Sequence, residues 1–338
     1  MLYETLPGSD LKVSRVCLGT WQFNGGAADL TWNPQDVKVS KDIVNKALSE
    51  GINFIDTAEA YNNSEKVLGD ILDLQSRRGD IVIASKFGQK HPQGVVGYSA
   101  VDIERALTGS LQTLKTSYID LYQIHWPICV ADMSEAVQQL ELEKARGRIR
   151  HYGICNFGAK NMEALRTAGG KPLTNQLPYN LLWRAIEHDV LPKAAEVGAT
   201  VLAYSPLQQG LLTGRFWKVD EVPEGRRRTR LFSSTSTSLA THGGDGAETE
   251  TFKAIEKIGK ICADEGISMT TGALSWLLAQ PNVASVIVGC STVEQVVENT
   301  RIHQITPAVE QKLKAATEEL KHLMGTNADL WAPESRMK

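Results

Sequence analysis

The sequence predicts a (β/α)8 (TIM) barrel, an eight-stranded parallel sheet closed on itself, with an N-terminal β-hairpin and long loops at its C-terminal face. Three observations carry this expectation. Eight short apolar runs alternate with helical patterns along the chain, and parallel neighbours need crossover connections of that kind. The runs are continuously apolar, as in strands covered on both faces. No G-x-G-x-x-G turn follows the first strand, which the rival open doubly wound sheet would want. Length alone suggests about two domains, but α/β barrels reach 338 residues as one, so 1–338 is read as a single domain.

The elements follow in order. Leu2–Leu6 and Leu11–Leu18 flank the turn sequence P-G-S-D and read as a hairpin leading into the first strand. Strands are expected near Val16–Leu18, Ile52–Asp56, Ile81–Ser85 and Ile119–His125, then near Tyr152–Cys155, Leu173–Gln176, Thr200–Tyr204 and Val286–Val288. Ser40 is the expected cap of a helix with Ile43, Val44, Ala47 and Leu48 on its apolar face, ended by Gly51. Ser99 with Asp102 reads as a capping-box variant, Ser134 as the opening of a third helix, and Pro192 as a first-turn proline. Two stretches interrupt the rhythm, Gln22–Asp36 after strand one and Gln208–Glu248 after strand seven. Loops of that length are usually lids or mobile segments. The Ser/Thr run in the second also reads as plain flexible linker.

Composition excludes several classes. A net charge of -3 argues against nucleic acid or an anionic membrane as the main partner. The five cysteines show no C-x-x-C pair, so reduced thiols and no metal site are expected. The N-terminus shows no signal-peptide pattern and no run approaches a membrane span, which points to a cytoplasmic protein.

The chemistry lies at three consecutive strand ends. The second ends in Asp56 with Tyr61 close behind, the third in Lys86 and the fourth in His125. Taken singly, an acid there is more often a cap, a lysine surface and a histidine packing. Adjacent strand ends of one barrel converge, however, and that joint placement favours a site. A phenol has a pKa of about 10, too high for rapid exchange near neutrality. An ammonium beside it lowers that value, a carboxylate holds the ammonium, and a neutral imidazole orients a substrate oxygen. Such a site donates a proton to an oxygen becoming alkoxide and needs electrons from a cofactor.

Nine pieces in order then identify a resemblance. They are L-G-T-W at Leu18–Trp21, N-F-I-D-T-A-E-A-Y at Asn53–Tyr61 and S-K-F-G at Ser85–Gly88. D-L-Y-Q-I-H-W-P at Asp120–Pro127, G-I-C-N-F at Gly153–Phe157 and N-Q-L-P-Y-N at Asn175–Asn180 follow. The last are A-Y-S-P-L at Ala203–Leu207, G-L-L-T-G-R at Gly210–Arg215 and the stretch Val288–Asn299. The chain resembles the aldo-keto reductases, and the resemblance implies a catalytic tetrad of Asp56, Tyr61, Lys86 and His125. It also implies a nicotinamide dinucleotide across the barrel mouth, with Gly19, Thr20, Trp21 and Asp56 near the nicotinamide ribose. Asn156 and Gln176 would hold the carboxamide, with Tyr204 under the ring. Ser205, Pro206, Leu207, Gly210, Leu212 and Arg215 would take the pyrophosphate. Gly289, Ser291, Thr292, Gln295, Glu298 and Asn299 would take the adenosine end, with N–H groups at Ser291 and the following helix start facing an anion.

Two departures bear on that reading. Cys155 stands where the family commonly has Ser, and Ser291 where many members carry an arginine for the 2′-phosphate of NADP. Some NADP-using members with Ser there recruit an arginine from the long loop, and Arg227 is the candidate, with Arg226 and Arg228 its rivals. NADP(H) is therefore favoured, with NAD(H) as the alternative. The expected reaction interconverts an aldehyde or ketone and its alcohol, with Tyr61 as general acid. The substrate wall is expected from Trp21, Phe23, Tyr61, His125 and Trp126, with Trp32 and Phe232 from the long loops. Asn24, Asn33 and the loop arginines would serve a polar substrate. Two other readings stand beside this one: an NAD-dependent sugar or polyol dehydrogenase, and a cofactor-binding subunit like the potassium-channel β subunits, disfavoured because no N-terminal inactivating arm is visible.

Overall fold

In a computed structural model, described for residues 1–26, 35–88 and 97–338, eight parallel strands close into a barrel. A two-stranded antiparallel hairpin, β1 (Tyr3–Thr5) and β2 (Lys12–Ser14), precedes it. The barrel strands are β3 (Val16–Gly19), β4 (Phe54–Asp56), β5 (Val82–Phe87), β6 (Ile119–Ile124), β7 (Ile149–Cys155), β8 (Thr174–Pro178), β9 (Thr200–Tyr204) and β10 (Val283–Gly289). Each pairs with the next, and β10 closes on β3 through Val286 opposite Val16 and Gly289 opposite Gly19.

The hairpin closes one end of this barrel. Leu6, Leu11 and Val13 pack with Cys17, Phe54, Ala84, Leu121 and Leu202 in one buried cluster. Ser14 N–H donates to Asn53 Oδ1 at 2.7 Å and ties the hairpin to the chain entering β4. Because side chains alternate along a strand, Asp56 lies on the same side as Phe54, and Lys86 on the same side as Ala84. The apolar cluster thus continues into charged residues toward the strands' C-terminal ends.

Helices α1 (Val37–Ser49), α2 (Ser64–Ile71), α3 (Leu74–Arg77), α4 (Ala100–Leu114), α5 (Met133–Ala145), α6 (Ala159–Thr167) and α7 (Val190–Glu196) connect the first strands. Beyond β9 come α8 (Glu248–Asp264) and α9 (Met269–Ala279), and after β10 come α10 (Val293–Asn299), α11 (Pro307–Ala316) and α12 (Glu318–Met324). Ser99 and Asp102 form the expected capping box of α4, and Pro192 sits in the first turn of α7.

Three expectations are corrected. Asp36, not Ser40, caps α1 by accepting from Val39 N–H, and Ser40 is buried one turn inside, donating to Asp36 O. Asp132, not Ser134, caps α5 by accepting from Glu135 N–H at 2.8 Å. In both cases an aspartate just upstream takes the role, and either residue type suits it. Strand β4 starts at Phe54 rather than Ile52, because Ile52 N–H donates to Ala47 O in a helix-ending motif with Gly51 at φ +85°.

The stretch 208–248 is folded, not linker-like. Short 3-10 turns at Gln208–Thr213, Val219–Glu221, Glu224–Arg226 and Ser234–Ser236 punctuate it, and Leu231 and Phe232 are buried in the main core. Of Gln22–Asp36, residues 27–34 lie outside the described part. Among the described residues no helix is long and apolar enough to cross a membrane, and none form a cluster of ligands for a metal ion.

Candidate active site

Asp56 ends β4, Lys86 lies one residue from the end of β5 and His125 directly follows β6, so adjacent strands bring the three together. Tyr61 reaches the same place from the loop after β4. Lys86 Nζ has three hydrogens and three acceptors: Asp56 Oδ2 at 2.7 Å, Thr57 O at 2.8 Å and Tyr61 Oη at 3.2 Å. An ammonium accepts nothing, so the phenol's own hydrogen cannot point at Lys86. It is left to a partner on another side, and Tyr61 lines the large cavity at the barrel mouth. The His125 ring meets Tyr61 edge-on at 5.7 Å and also lines that cavity.

Behind this group Asp56 is held from both oxygens. Gln176 Nε2 donates to Oδ1 at 2.8 Å while Lys86 takes Oδ2. Thr20 donates its N–H and its hydroxyl to Asp56 O, and its oxygen meets the Ser64 hydroxyl at 2.6 Å. The carboxylate is therefore immobile, and through it the lysine.

Burial governs the charges. It pushes the Tyr61 phenol up, against the downward pull of the Lys86 ammonium, and the net result lies above the ordinary value. The sequence-based expectation that the ammonium lowers it is thus outweighed by desolvation of phenolate. Burial also pushes Lys86 down, but Asp56 and Tyr61 overturn this and hold it charged. His125 is held well below its ordinary value by burial and then by Lys86, so its imidazole is neutral. The site pairs a protonated phenol with a neutral imidazole beside a fixed cation, a set suited to giving a proton to an oxygen that gains charge.

The cavity holds about 710 Å³ and runs from this tetrad to the start of α10. Gly19, Thr20, Trp21, Asn156, Gln176 and Tyr204 line its inner part. Asn156, in a left-handed conformation at φ 63°, accepts from Tyr204 Oη at 2.9 Å and donates to His125 O and Cys155 Sγ. Cys155 in turn donates to Gln176 Oε1, so the cysteine bridges the two amides, and burial lifts its thiol well above the ordinary value. Ser205, Pro206, Leu207, Gly210 and Arg215 line the middle, and Gly289, Ser291, Gln295, Glu298 and Asn299 the far end. A Cβ at Gly289 would stand 2.8 Å from Gln22 Oε1, so a larger residue there would push the end of the Gln22 side chain aside.

Several expected residues are placed elsewhere. Phe23, Leu212 and Phe232 do not line the cavity; each is buried in the main core, because an apolar side chain with core within reach leaves the solvent-facing wall. Thr292 caps α10 by accepting from Gln295 N–H. The Ser291 N–H, expected to face an anion, donates to Gln295 Oε1 at 2.8 Å. Asn24 Oδ1 accepts from Gly26 and Gln35 N–H, tying the ends of its loop together rather than lining the cavity. Trp32 and Asn33 lie outside the described residues.

The arginine run divides. Arg227 does not line the cavity, whereas Arg226 and Arg228 on either side of it do. Arg226 donates to Gln209 O at 3.2 Å and is pulled below its ordinary pKa by burial and by Arg215. Among the described residues no carboxylate pairs with Arg215 or Arg226, and two adjacent guanidiniums without an acid suit an anion. Arg228 lies at the other end, 5.1 Å from the ring centres of both Trp21 and Trp331. Arg230 holds the tail by donating to Asn327 O and Asp329 O.

That tail contributes two lining residues the sequence reading missed, Trp331 and Arg336. Arg336 stacks 3.9 Å from the Trp126 ring centre and grips Asp329 through two nitrogens. The sequence-level signal was a tryptophan and an arginine after the last helical pattern, with no helix face to account for them. Ser268 and Thr270 at the start of α9 also line the far end and carried no signal beyond a helix cap.

Comparison with known proteins agrees with this geometry. The model of the aldo/keto reductase family matches residues 15–319. An NADH-specific methylglyoxal reductase of Escherichia coli (strain K12) is 32% identical, over 86% of this chain and 90% of that protein. A Schizosaccharomyces pombe protein named for the voltage-gated potassium channel β subunits is also 32% identical, over 92% of each. Among solved structures, a glycerol dehydrogenase from Gluconobacter oxydans superposes with a TM-score of 0.77 at 28% identity, covering 94% of this chain and 95% of that one. With a closed eight-stranded barrel, a lysine-centred tetrad at its mouth and a family match over nearly its whole length, this chain belongs to the aldo/keto reductase family.

Proposed function

We propose that the chain is an enzyme interconverting an aldehyde or ketone and the corresponding alcohol, with Tyr61 as general acid and NADP(H) as cofactor. The observation that carries this is the Lys86 ammonium donating to Tyr61 Oη at 3.2 Å from a fully buried position. In reduction, Tyr61 gives its hydrogen to the carbonyl oxygen as that oxygen gains charge, and Lys86 stabilises the phenolate left behind. His125, neutral, donates a second hydrogen bond to the same oxygen and orients the carbonyl. A bound nicotinamide would supply the hydride.

The donor set fits such a cofactor. Two amides, Asn156 and Gln176, offer both a donor and an acceptor to a carboxamide. Tyr204 offers a ring beside them, and the Arg215–Arg226 pair suits phosphate groups. Arg226 lines the cavity and Arg227 does not, so the 2′-phosphate role expected of Arg227 is read here as Arg226's, and on that reading NADP(H) is favoured over NAD(H). Five buried thiols with no disulfide among them suit a reducing, cytoplasmic setting.

The test is consumption of NADPH and NADH with a panel of aldehydes, ketones and sugars. Replacing Tyr61→Phe is expected to lower kcat by roughly 10²- to 10⁴-fold; undiminished turnover would remove the acid role. Arg226→Ala is expected to weaken NADPH far more than NADH. Equal losses would reassign this guanidinium to the pyrophosphate that both cofactors share, and NADH-only turnover would favour a specificity like that in the name of the Escherichia coli relative. Tight nucleotide binding without turnover of any carbonyl would favour a role like the channel subunits'.

A further inference from the structure

We propose that Asp329 is a positioning residue for the substrate end of the cavity: its buried carboxylate fixes Trp331 and Arg336, and through them the aromatic wall around the carbonyl compound. The proposal rests on the carbonyl-reducing reading of the cavity and adds the residue that shapes its substrate wall. Asp329 is 0% exposed and lies outside the cavity lining, whereas Trp331 and Arg336 both line it. After α12 the chain forms no further helix or strand, so side chains must supply the bonds that hold it. Asn327 Oδ1 accepts from Asp329 N–H at 2.9 Å, and Asp329 Oδ1 from Trp331 N–H at 3.0 Å, two successive turns of the kind Asn and Asp side chains make. Arg336 closes the loop on the same carboxylate. Its Nε donates to Oδ2 at 2.6 Å, its Nη2 to Oδ1 at 3.0 Å and its N–H to Oδ2 at 3.3 Å. Such a two-point grip fixes the plane of the guanidinium as well as its place.

Two branches lead from this carboxylate toward the tetrad. On one, Arg336 lies 3.9 Å from the ring centre of Trp126, the residue after His125. On the other, the Trp331 ring centre lies 5.1 Å from Arg228, which is equally far from that of Trp21, and Trp21 stacks with Tyr61 at 5.9 Å. One buried acid therefore supports the wall beside the imidazole and the wall beside the phenol. An aromatic side chain on irregular chain samples several orientations unless contacts select one, and cation–π stacking on a guanidinium held in place does so. Removing the carboxylate takes the acid from Arg336 and the acceptor from Trp331 N–H, so both restraints are lost at once. Arg230 separately holds the backbone at Asn327 O and Asp329 O, which confines the effect to the residues that follow.

The test measures reduction of 2-naphthaldehyde, large enough to reach the wall, and of propanal, which is too small to do so. Asp329→Ala is expected to lower kcat/KM for naphthaldehyde by about tenfold or more, mainly through KM, and for propanal by less than about threefold. Asp329→Asn keeps an acceptor for Trp331 N–H but turns an amide toward Arg336, and should lose an intermediate amount on naphthaldehyde. Losses in Asp329→Asn and Arg336→Gln should not add when the two are combined. Equal losses on both aldehydes, no loss on either, or fully additive losses in the double variant overturn the proposal. Should the native protein reduce neither aldehyde, the reductase reading fails by itself, and amide hydrogen exchange decides the positioning role. Faster exchange at the Trp331 and Arg336 N–H groups in Asp329→Ala, with the barrel strands still protected, supports it. Unchanged exchange at those two amides, or protection lost throughout the barrel, overturns it.

Discussion

At Tyr61 two opposing effects meet, and the difference between them sets how the site responds to pH. Burial lifts the phenol above its ordinary 10.0 despite the adjacent ammonium, and burial with Lys86 holds His125 well below 6.5. Both groups then stay neutral through the physiological range, so kcat for reduction should be flat from about pH 6 to about pH 9. A pH–rate profile checks this; an inflection near 6.5 that vanishes in His125→Asn would mean the imidazolium is the active form. The sign for stability follows from the same shift. His125 takes up a proton more readily unfolded than folded, so its contribution is complete above 6.5 and is lost as pH falls below it. The tetrad residues were legible from sequence because each falls at or next to a strand end, and strand ends of a barrel converge. The choice between Arg226, Arg227 and Arg228 was not. They lie in irregular chain, where no period tells which side chain faces inward.

At the scale of single elements, caps were legible in kind but not always in position. Near α1 the sequence offers Asp36 and Ser40, and near α5 Asp132 and Ser134, all good capping types; hydrogen bonding selects the aspartate each time. The choice is testable at α5. Asp132→Ala should cost about 1 kcal/mol, and Ser134→Ala no more than about 0.5 kcal/mol, in denaturant unfolding. The reverse order would move the helix start. Strand limits shifted for a related reason. Ile52 is as apolar as a strand residue, yet its N–H is taken by Ala47 O at the end of α1, so the ladder begins at Phe54. Competition for one backbone donor decides such boundaries, and composition does not register it.

Across the whole molecule the barrel is closed at one end and functional at the other. The hairpin inserts Leu6, Leu11 and Val13 among residues of six barrel strands, so it is part of the core and not an appendage. Leu11→Ala should destabilise the fold by roughly 2–5 kcal/mol, the range for large core truncations. Thermal or denaturant unfolding checks it, and a loss below about 1 kcal/mol would show that the barrel holds without its plug. At the opposite end the tail crosses back over the mouth. Trp183 Nε1 donates to Ala328 O, Arg230 N–H to Leu330 O and Thr241 Oγ1 to Trp331 O, and these bonds deliver Trp331 and Arg336 to the cavity.

By itself the sequence determined the closed barrel, the hairpin, the family and the four residues gathered at the strand ends. All of these depend on short-range pattern: apolar runs, the two-residue alternation within a strand, and the order of motifs. Tertiary structure alone decided which arginines face the cavity, that Phe23, Leu212 and Phe232 belong to the core, and that the tail supplies a wall of the site. Those outcomes depend on side-chain direction in irregular segments and on contacts between residues such as Arg228 and Trp331, more than one hundred positions apart, to which no local period corresponds.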